Sequence, residues 1–400
     1  MRFAKNERHA LALTAVGHFG AHFAMLAYPT LAVAIANREG IALETVLGWS
    51  FLGYLIFGLG ALPVGFLTDH IRARWVVRTG VVGIGAAMMM VSLAAPGPQI
   101  TAALALIGVF ASLYHPAGLG LISRTIRARG TALGINGVFG NLGIAAAPLA
   151  AEFASAAWGW RGAYAALGAF LLVIGTAVSL LVIEEPAPGQ ALEDEGHHED
   201  GERLVLFTIL LSAMTLGGLA YRASTVAQPA YYAERVDFVG YGLATTIAYS
   251  LGMVGQYVGG RLADRYDLRL LYVGFHAASL PFVLAMAVLA QAPLLVCASV
   301  YVFFSLGMQP IENSLVARFT PDRWRATGFG LKFSVVFGLG SFAVTGVQFL
   351  LARSSLSMVF VSVAGLVATL IGIASYLAWR TRAQPILNAA ALARRPQGSA

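Results

Sequence analysis

Gly65-Phe-Leu-Thr-Asp69-His-Ile-Arg72-Ala-Arg74 stands at the end of one long apolar run and the start of the next. A second version, Gly260-Arg-Leu-Ala-Asp264-Arg265-Tyr-Asp267-Leu-Arg269, recurs far downstream. Glycine, leucine, aspartate and the final arginine coincide at 65/260, 67/262, 69/264 and 74/269. A short charged turn repeated between apolar runs means that two halves of the chain share one plan.

The 400 residues are 58% hydrophobic and 11% charged, where a soluble domain carries about 25% charged residues. Lipid is therefore the solvent for most of the surface. A span takes about 20 apolar residues. The runs divide at charged or Pro/Gly turns into spans at 10–36, 45–68, 75–95, 99–123, 131–155, 161–183, 204–233, 240–264, 268–290, 293–317, 325–351 and 355–380. The expected fold is all-α: a polytopic membrane protein with twelve transmembrane helices in two six-helix pseudo-repeats, 1–183 and 204–380. The first run continues to Ile35, too long for the apolar region of a signal peptide, and is read as a span.

Lys and Arg residues gather at alternate ends of the spans. Arg2, Lys5, Arg8, Arg72, Arg74, Arg78, Arg124, Arg127 and Arg129 fall on one side, while Arg38, Arg161, Arg235 and Arg353 fall on the other. That bias places both termini in the cytoplasm, for a protein of the bacterial-type inner (plasma) membrane. The net charge of +7 thus reports orientation, and nucleic acid is not an expected partner. Residues 184–203 hold Glu184, Glu185, Glu193, Asp194, Glu195, Glu199, Asp200 and Glu202 with His197 and His198. The segment has almost no apolar content and reads as a solvated acidic linker between halves. A metal-sensing or partner-docking tract is the other reading. The tail 381–400 is expected to be disordered. Cys297 lies in an apolar run and, as the single cysteine, forms no intramolecular disulfide.

The repeat extends further. Tyr28-Pro29 matches Gln228-Pro229, His115-Pro116 matches Gln309-Pro310, and Thr131-Ala-Leu-Gly134 matches Thr327-Gly-Phe-Gly330. A parallel repeat places a substrate cavity between halves near the membrane midplane. Ionisable groups at that depth are costly and mark function. His18 and His22 sit four apart on one helical face and suit a proton, an anion or a metal. Arg222 aligns with His22 and needs an anionic partner, such as Glu312, or a wet cavity. Glu312 is the best intramembrane carboxylate and the expected proton carrier, with His22. Its bland reading is a static pair with Arg222 or Lys332. Lys332 meets a substrate anion or snorkels to the surface. His115, beside Pro116, is expected to line the cavity with Tyr28, Asn136, Gln228 and Asn313, although amides in spans often only bridge helices. His276 is expected to face lipid headgroups or a neighbour, with no role. Trp158-Gly-Trp160-Arg161 reads as an interfacial anchor.

These residues resemble the major facilitator superfamily, whose signature turn lies between spans 2 and 3 with a weaker copy between 8 and 9. Within it, the chain is similar to the fosmidomycin-resistance efflux family. The stretches are Gly17-His-Phe-Gly-Ala-His22 with Tyr28-Pro29, Ser112-Leu-Tyr-His-Pro116, and 131–143. It differs at His18 and Ala117, where that family tends to carry acids. The resemblance implies that Asp69, Arg74, Asp264, Arg265 and Arg269 form a cytoplasmic gate. Gly134, Gly137, Gly140 and Gly143 with Ala147-Pro148 serve helix packing first and also resemble the antiporter motif of span 5.

The expected function is secondary active transport by alternating access: proton-coupled efflux, or antiport, of a small anionic or amphipathic solute or drug. The alternative is transport of a metal ion or metal chelate by His18 and His22, and a remote one is a non-transporting sensor or scaffold. No nucleotide loop, H-E-x-x-H or G-x-S-x-G points to an enzyme. No cofactor and no resident metal site are expected. The expected partners are the solute, protons and the bilayer, and the expected state is a monomer.

Overall fold

The computed structural model describes residues 3–127, 129–186, 200–320 and 325–384, without the side chains of 69, 129, 130, 200 and 325–327. All regular structure among them is helical. Ten of these helices are long and apolar enough to cross a membrane: Lys5–Glu39, Leu43–Thr68, Ala73–Leu93, Pro98–Thr125, Thr131–Ser179, Gly201–Arg235, Leu268–Met286, Gln291–Phe319, Gly328–Arg353 and Leu356–Arg380. Thr131–Ser179 is two spans joined at Gly159, whose φ of 67° is open to glycine at no steric cost. Tyr241–Ala263, less apolar because of its glycines, threonines and Gln256, occupies the eighth place. The twelve-helix all-α architecture follows, and the helices are numbered first to twelfth in this order.

Breaks inside spans repeat between halves. The fourth helix is interrupted at Leu113, before His115-Pro116, and the tenth at Met308, before Gln309-Pro310. Each proline lacks the N–H that would close the bond four residues back. The eleventh helix departs from its repeat partner. It passes from α-helix into a π-helical turn, Ser334–Gly338, then a 3-10 turn, Leu339–Ser341, whereas the fifth runs on without one.

The first helix is the hub of its half: its most apolar window is 83% buried, against 39% for the seventh, its repeat counterpart. Backbones meet at glycines, as lipid-embedded packing requires. A Cβ on Gly108 of the fourth helix would stand 2.2 Å from the carbonyl oxygen of Gly53 in the second. One on Gly259 of the eighth would stand 1.8 Å from that of Gly307 in the tenth.

Between halves the second helix meets the eleventh and the fifth meets the eighth. A Cβ on Gly58 would lie 2.0 Å from Gly338 N, and the Ser334 hydroxyl donates to Gly58 O at 3.3 Å. Asn141 donates to Gln256 at 2.5 Å, and the Thr246 hydroxyl donates to Ala145 O at 2.7 Å. Further out, Leu243 N–H donates to Glu152 and Phe51 meets Phe342. These contacts run from the centre to the side opposite the chain termini, so the halves are closed there.

On the terminal side each half ties its own ends. Arg74 donates to Ile183 O and Arg78 to Leu181 O. The start of the acidic segment is folded against the bundle. Glu184 exchanges hydrogen bonds with Asn6, while buried Glu185 pairs with Arg124 at 3.0 Å and accepts from the N–H groups of Ala73 and Arg74. A carboxylate at that helix N-terminus satisfies orphan donors and faces the positive end of the dipole. Residues 187–199, with His197 and His198, lie outside the described residues, as does the tail from 385. The anchor at 158–161 splits: Trp158 is exposed, but Trp160 is buried and donates to Glu39 at 2.8 Å.

Gly108→Val should destabilise the protein by about 1–3 kcal/mol through overpacking, seen as a lower melting temperature in detergent. Gly137, with nothing within 4 Å of a Cβ, should accept alanine without loss.

Candidate functional site

Three charges are buried near the middle of the bundle. Glu312, in the tenth helix, pairs with Lys332 of the eleventh at 2.7 Å and accepts from the Tyr272 hydroxyl at 3.0 Å. Lys332 also donates to Asn313 Oδ1 at 2.5 Å. The ammonium is buried, so it does not snorkel. Arg222 of the seventh helix is 2% exposed. Its guanidinium lies 3.6 Å from the ring centre of Tyr54, a residue of the other half. Its Nε and Nη1 have no hydrogen-bond partner among the described residues, and the pairing of Arg222 with Glu312 does not form. The pair and Arg222 sum to one positive charge.

Beside the pair is a cavity of about 80 Å³ walled by the second half, with Tyr221, His276, Tyr301, Gln309, Glu312, Asn313, Lys332, Phe333 and Phe337 in its lining. A cavity of that size with polar walls holds several waters or the polar end of a small solute.

The second centre belongs to the first half. His18, His22 and His115 place their ring centroids 5.0, 5.2 and 5.3 Å apart. His18 Nδ1 is bonded to Asn136 O at 2.9 Å and to Asn136 Oδ1 at 3.0 Å, and Oδ1 also accepts from Tyr114 at 2.8 Å. Glycines make this packing possible: a Cβ on Gly140 would strike the His18 ring at 2.5 Å, and one on Gly118 would strike Tyr114 at 2.6 Å. Phe333 stacks on His115 at 4.9 Å and Phe337 at 5.8 Å. These two rings, one just before the π-helical turn and one inside it, also line the cavity. They form the wall between the imidazoles and the ion pair.

The chain matches the family model of the Major Facilitator Superfamily over residues 11–345. The chain belongs to the major facilitator superfamily. This superfamily member is a membrane transporter, not an enzyme. Its fold is similar to that of a bacterial homolog of the human lysosomal transporter Spinster, inward-facing and unoccupied, with a TM-score of 0.69 and 16% identity, covering 95% of this chain and 98% of that one. A POT family transporter in complex with 5-aminolevulinic acid gives a TM-score of 0.75 at 15% identity, covering 93% and 95%. The peptide transporter POT in complex with sulfate gives 0.73 at 15%, covering 96% of each chain. No curated protein matches the sequence. At these identities the structures establish the fold.

The other expected site residues of the transporter are placed as follows. Tyr28 donates to Val46 O and ties the first helix to the second, away from the cavity. Asn136 spends its oxygen on His18 and Tyr114. Gln228 is fully buried beside a separate void with Tyr249 and Tyr301, its amide atoms without partners among the described residues.

Of the expected gate, the contacts seen among the described residues are made within each half. Arg269 is bound to Asp267 and Thr381 O, the counterparts within its own half of what Arg74 does at Ile183. Asp264 and Arg265 are exposed, and the Asp69 side chain lies outside the described positions. A repeated arginine at the turn satisfies the last carbonyls of its own bundle.

Of the two expected settings for His276, headgroups or a neighbour, the neighbour holds. His276 is buried at the cavity, edge-on to Tyr272 at 4.8 Å. It lies four residues after Tyr272, one turn along the same face, which was a legible signal. Phe333 and Phe337 gave no signal beyond hydrophobicity.

Glu312→Gln strands a buried ammonium and should cost about 3–5 kcal/mol. Glu312→Gln with Lys332→Met should recover most of that loss in thermal melts, since a neutral pair of similar volume needs no counter-ion.

Proposed function

We propose that this transporter carries a small anionic or amphipathic solute, coupled to protons, with Arg222 as the fixed charge that meets the anion. The observation that carries the reading is the state of Arg222. A guanidinium at a helix centre costs about 2.5–3.5 kcal/mol even on lenient insertion scales. A desolvated cation–π contact returns about 2 kcal/mol. An anion within reach of Nε and Nη1 would make up the difference and satisfy both donors.

Glu312 and Lys332 supply the coupling. A proton on Glu312 frees the ammonium, which then draws an anion into the cavity. Loss of the proton restores the pair and expels it. This logic loads proton and solute together, so it favours cotransport in one direction. Efflux by antiport, as in the fosmidomycin-resistance family and drug-resistance transporters, rests on the glycine pattern of the fifth helix. There Gly140 and Gly143 are used for packing against His18 and Phe19. Both readings keep alternating access of two rocking halves, with Asp69 and the arginine turns locking the terminal side in the opposite state.

The test uses proteoliposomes and a panel of labelled carboxylates and phosphonates. Arg222→Gln should lower flux at least tenfold for every transported anion, and Arg222→Lys should keep part of it. Unchanged anion flux in Arg222→Gln would sink the reading. Flux that speeds up with acid on the solute's side supports cotransport. Acceleration only with acid on the opposite side supports antiport.

A further inference from the structure

The imidazole cluster carries more than the anion reading needs. His18, His22 and His115 each present a ring nitrogen, and these nitrogens lie within 4.8 Å of one another. His18 and His22 share a face of the first helix by their spacing, and packing of the fourth helix brings His115 to them. Two buried imidazoles and one half-buried, without a carboxylate among them, are an unusual use of a membrane interior, where polar groups need partners. His115 Nε2 is buried with no partner among the described residues.

His18 is already oriented as a ligand. Its Nδ1 faces the backbone and side-chain oxygens of Asn136. A proton held there fixes the tautomer and leaves Nε2 as a lone-pair donor, the arrangement that metal-bound histidines show. Tyr114 in turn fixes Asn136, and Gly140 leaves the ring its space.

We propose that His18, His22 and His115 form a binding site for a first-row transition metal ion of the zinc or copper class. An all-imidazole set selects these over magnesium, calcium or manganese, which prefer oxygen. A metal–nitrogen distance of about 2.0–2.1 Å puts tetrahedral ligand nitrogens roughly 3.4 Å apart. Small rotations of the three rings close the gap from 4.8 Å. The fourth position is left for water or an anion. An anion there would offset the charge of the metal ion, since none of the three ligands is a carboxylate. The site does not depend on the anion-transport reading: the Arg222 variants test that one and the histidine variants test this one.

The experiment uses full-length protein in detergent with His9, His70, His197 and His198 replaced by Asn, which leaves the triad and His276. Titration with cobalt(II) should give one bound ion per chain with the visible bands of a four-coordinate centre. His18→Asn, His22→Asn and His115→Asn should each weaken binding at least tenfold, while His276→Asn should leave it unchanged. X-ray absorption of the zinc-loaded parent, which needs no triad variant to fold, should count three imidazole neighbours. Absence of one-to-one binding in the parent, fewer than two imidazoles at zinc, or affinity unchanged by His115→Asn would each overturn the proposal.

Discussion

Charge buried in hydrocarbon must be answered from within the protein, and that constraint organises the centre of this transporter. Glu312 and Lys332 answer each other, and Tyr272 and Asn313 take up remaining hydrogen-bonding capacity. Arg222 is answered by the faces of Tyr54, from the opposite half, and more distantly of Tyr221. The result is an asymmetric centre. One half holds a balanced pair and an unbalanced cation, and the other holds three imidazoles. Phe333 and Phe337 stack on His115 and line the cavity, so aromatic rings stand between the two centres.

The outlines of the fold were legible in the chain. Repeated charged turns, proline positions and run lengths gave twelve helices and two related bundles, because lipid permits few alternatives for an apolar run of that length. The proline-marked interruptions in the fourth and tenth helices were legible for the same local reason. The candidate site was legible in its costly members, since Arg222, Glu312, Lys332, His18, His22 and His115 stand out against an apolar background. Which of them touch was not. Arg222 and Lys332 are equal candidates for Glu312 by sequence, and only the packing of the tenth helix against the eleventh decides for lysine. The aromatic wall was invisible because Phe333 and Phe337 resemble every other apolar residue. The π-helical turn was also invisible; it lies where backbones of the second and seventh helices come close to Gly338 and Gly340.

The terminal side shows a different economy. Arg74 donates to Ile183 O in the segment after the sixth helix and Arg269 to Thr381 O at the end of the twelfth, each in its own bundle, and Glu185 joins the start of the third helix to Arg124. Each half is thereby tied into a unit at its ends. That suits two bodies that move against one another, because rigidity within a bundle lets a small tilt at the centre become a large displacement at the rim.

The wide turn at Ser334–Gly338 also sets an angular phase. An α-helix advances about 100° per residue, so one additional residue inside a turn rotates everything before it relative to everything after. Lys332 lies before the turn, and the residues that clasp the second and seventh helices lie within and after it. The lysine's bearing toward Glu312 is therefore dialled by a backbone irregularity two residues away. Straightening that irregularity would swing the ammonium around the helix barrel without altering a single side chain.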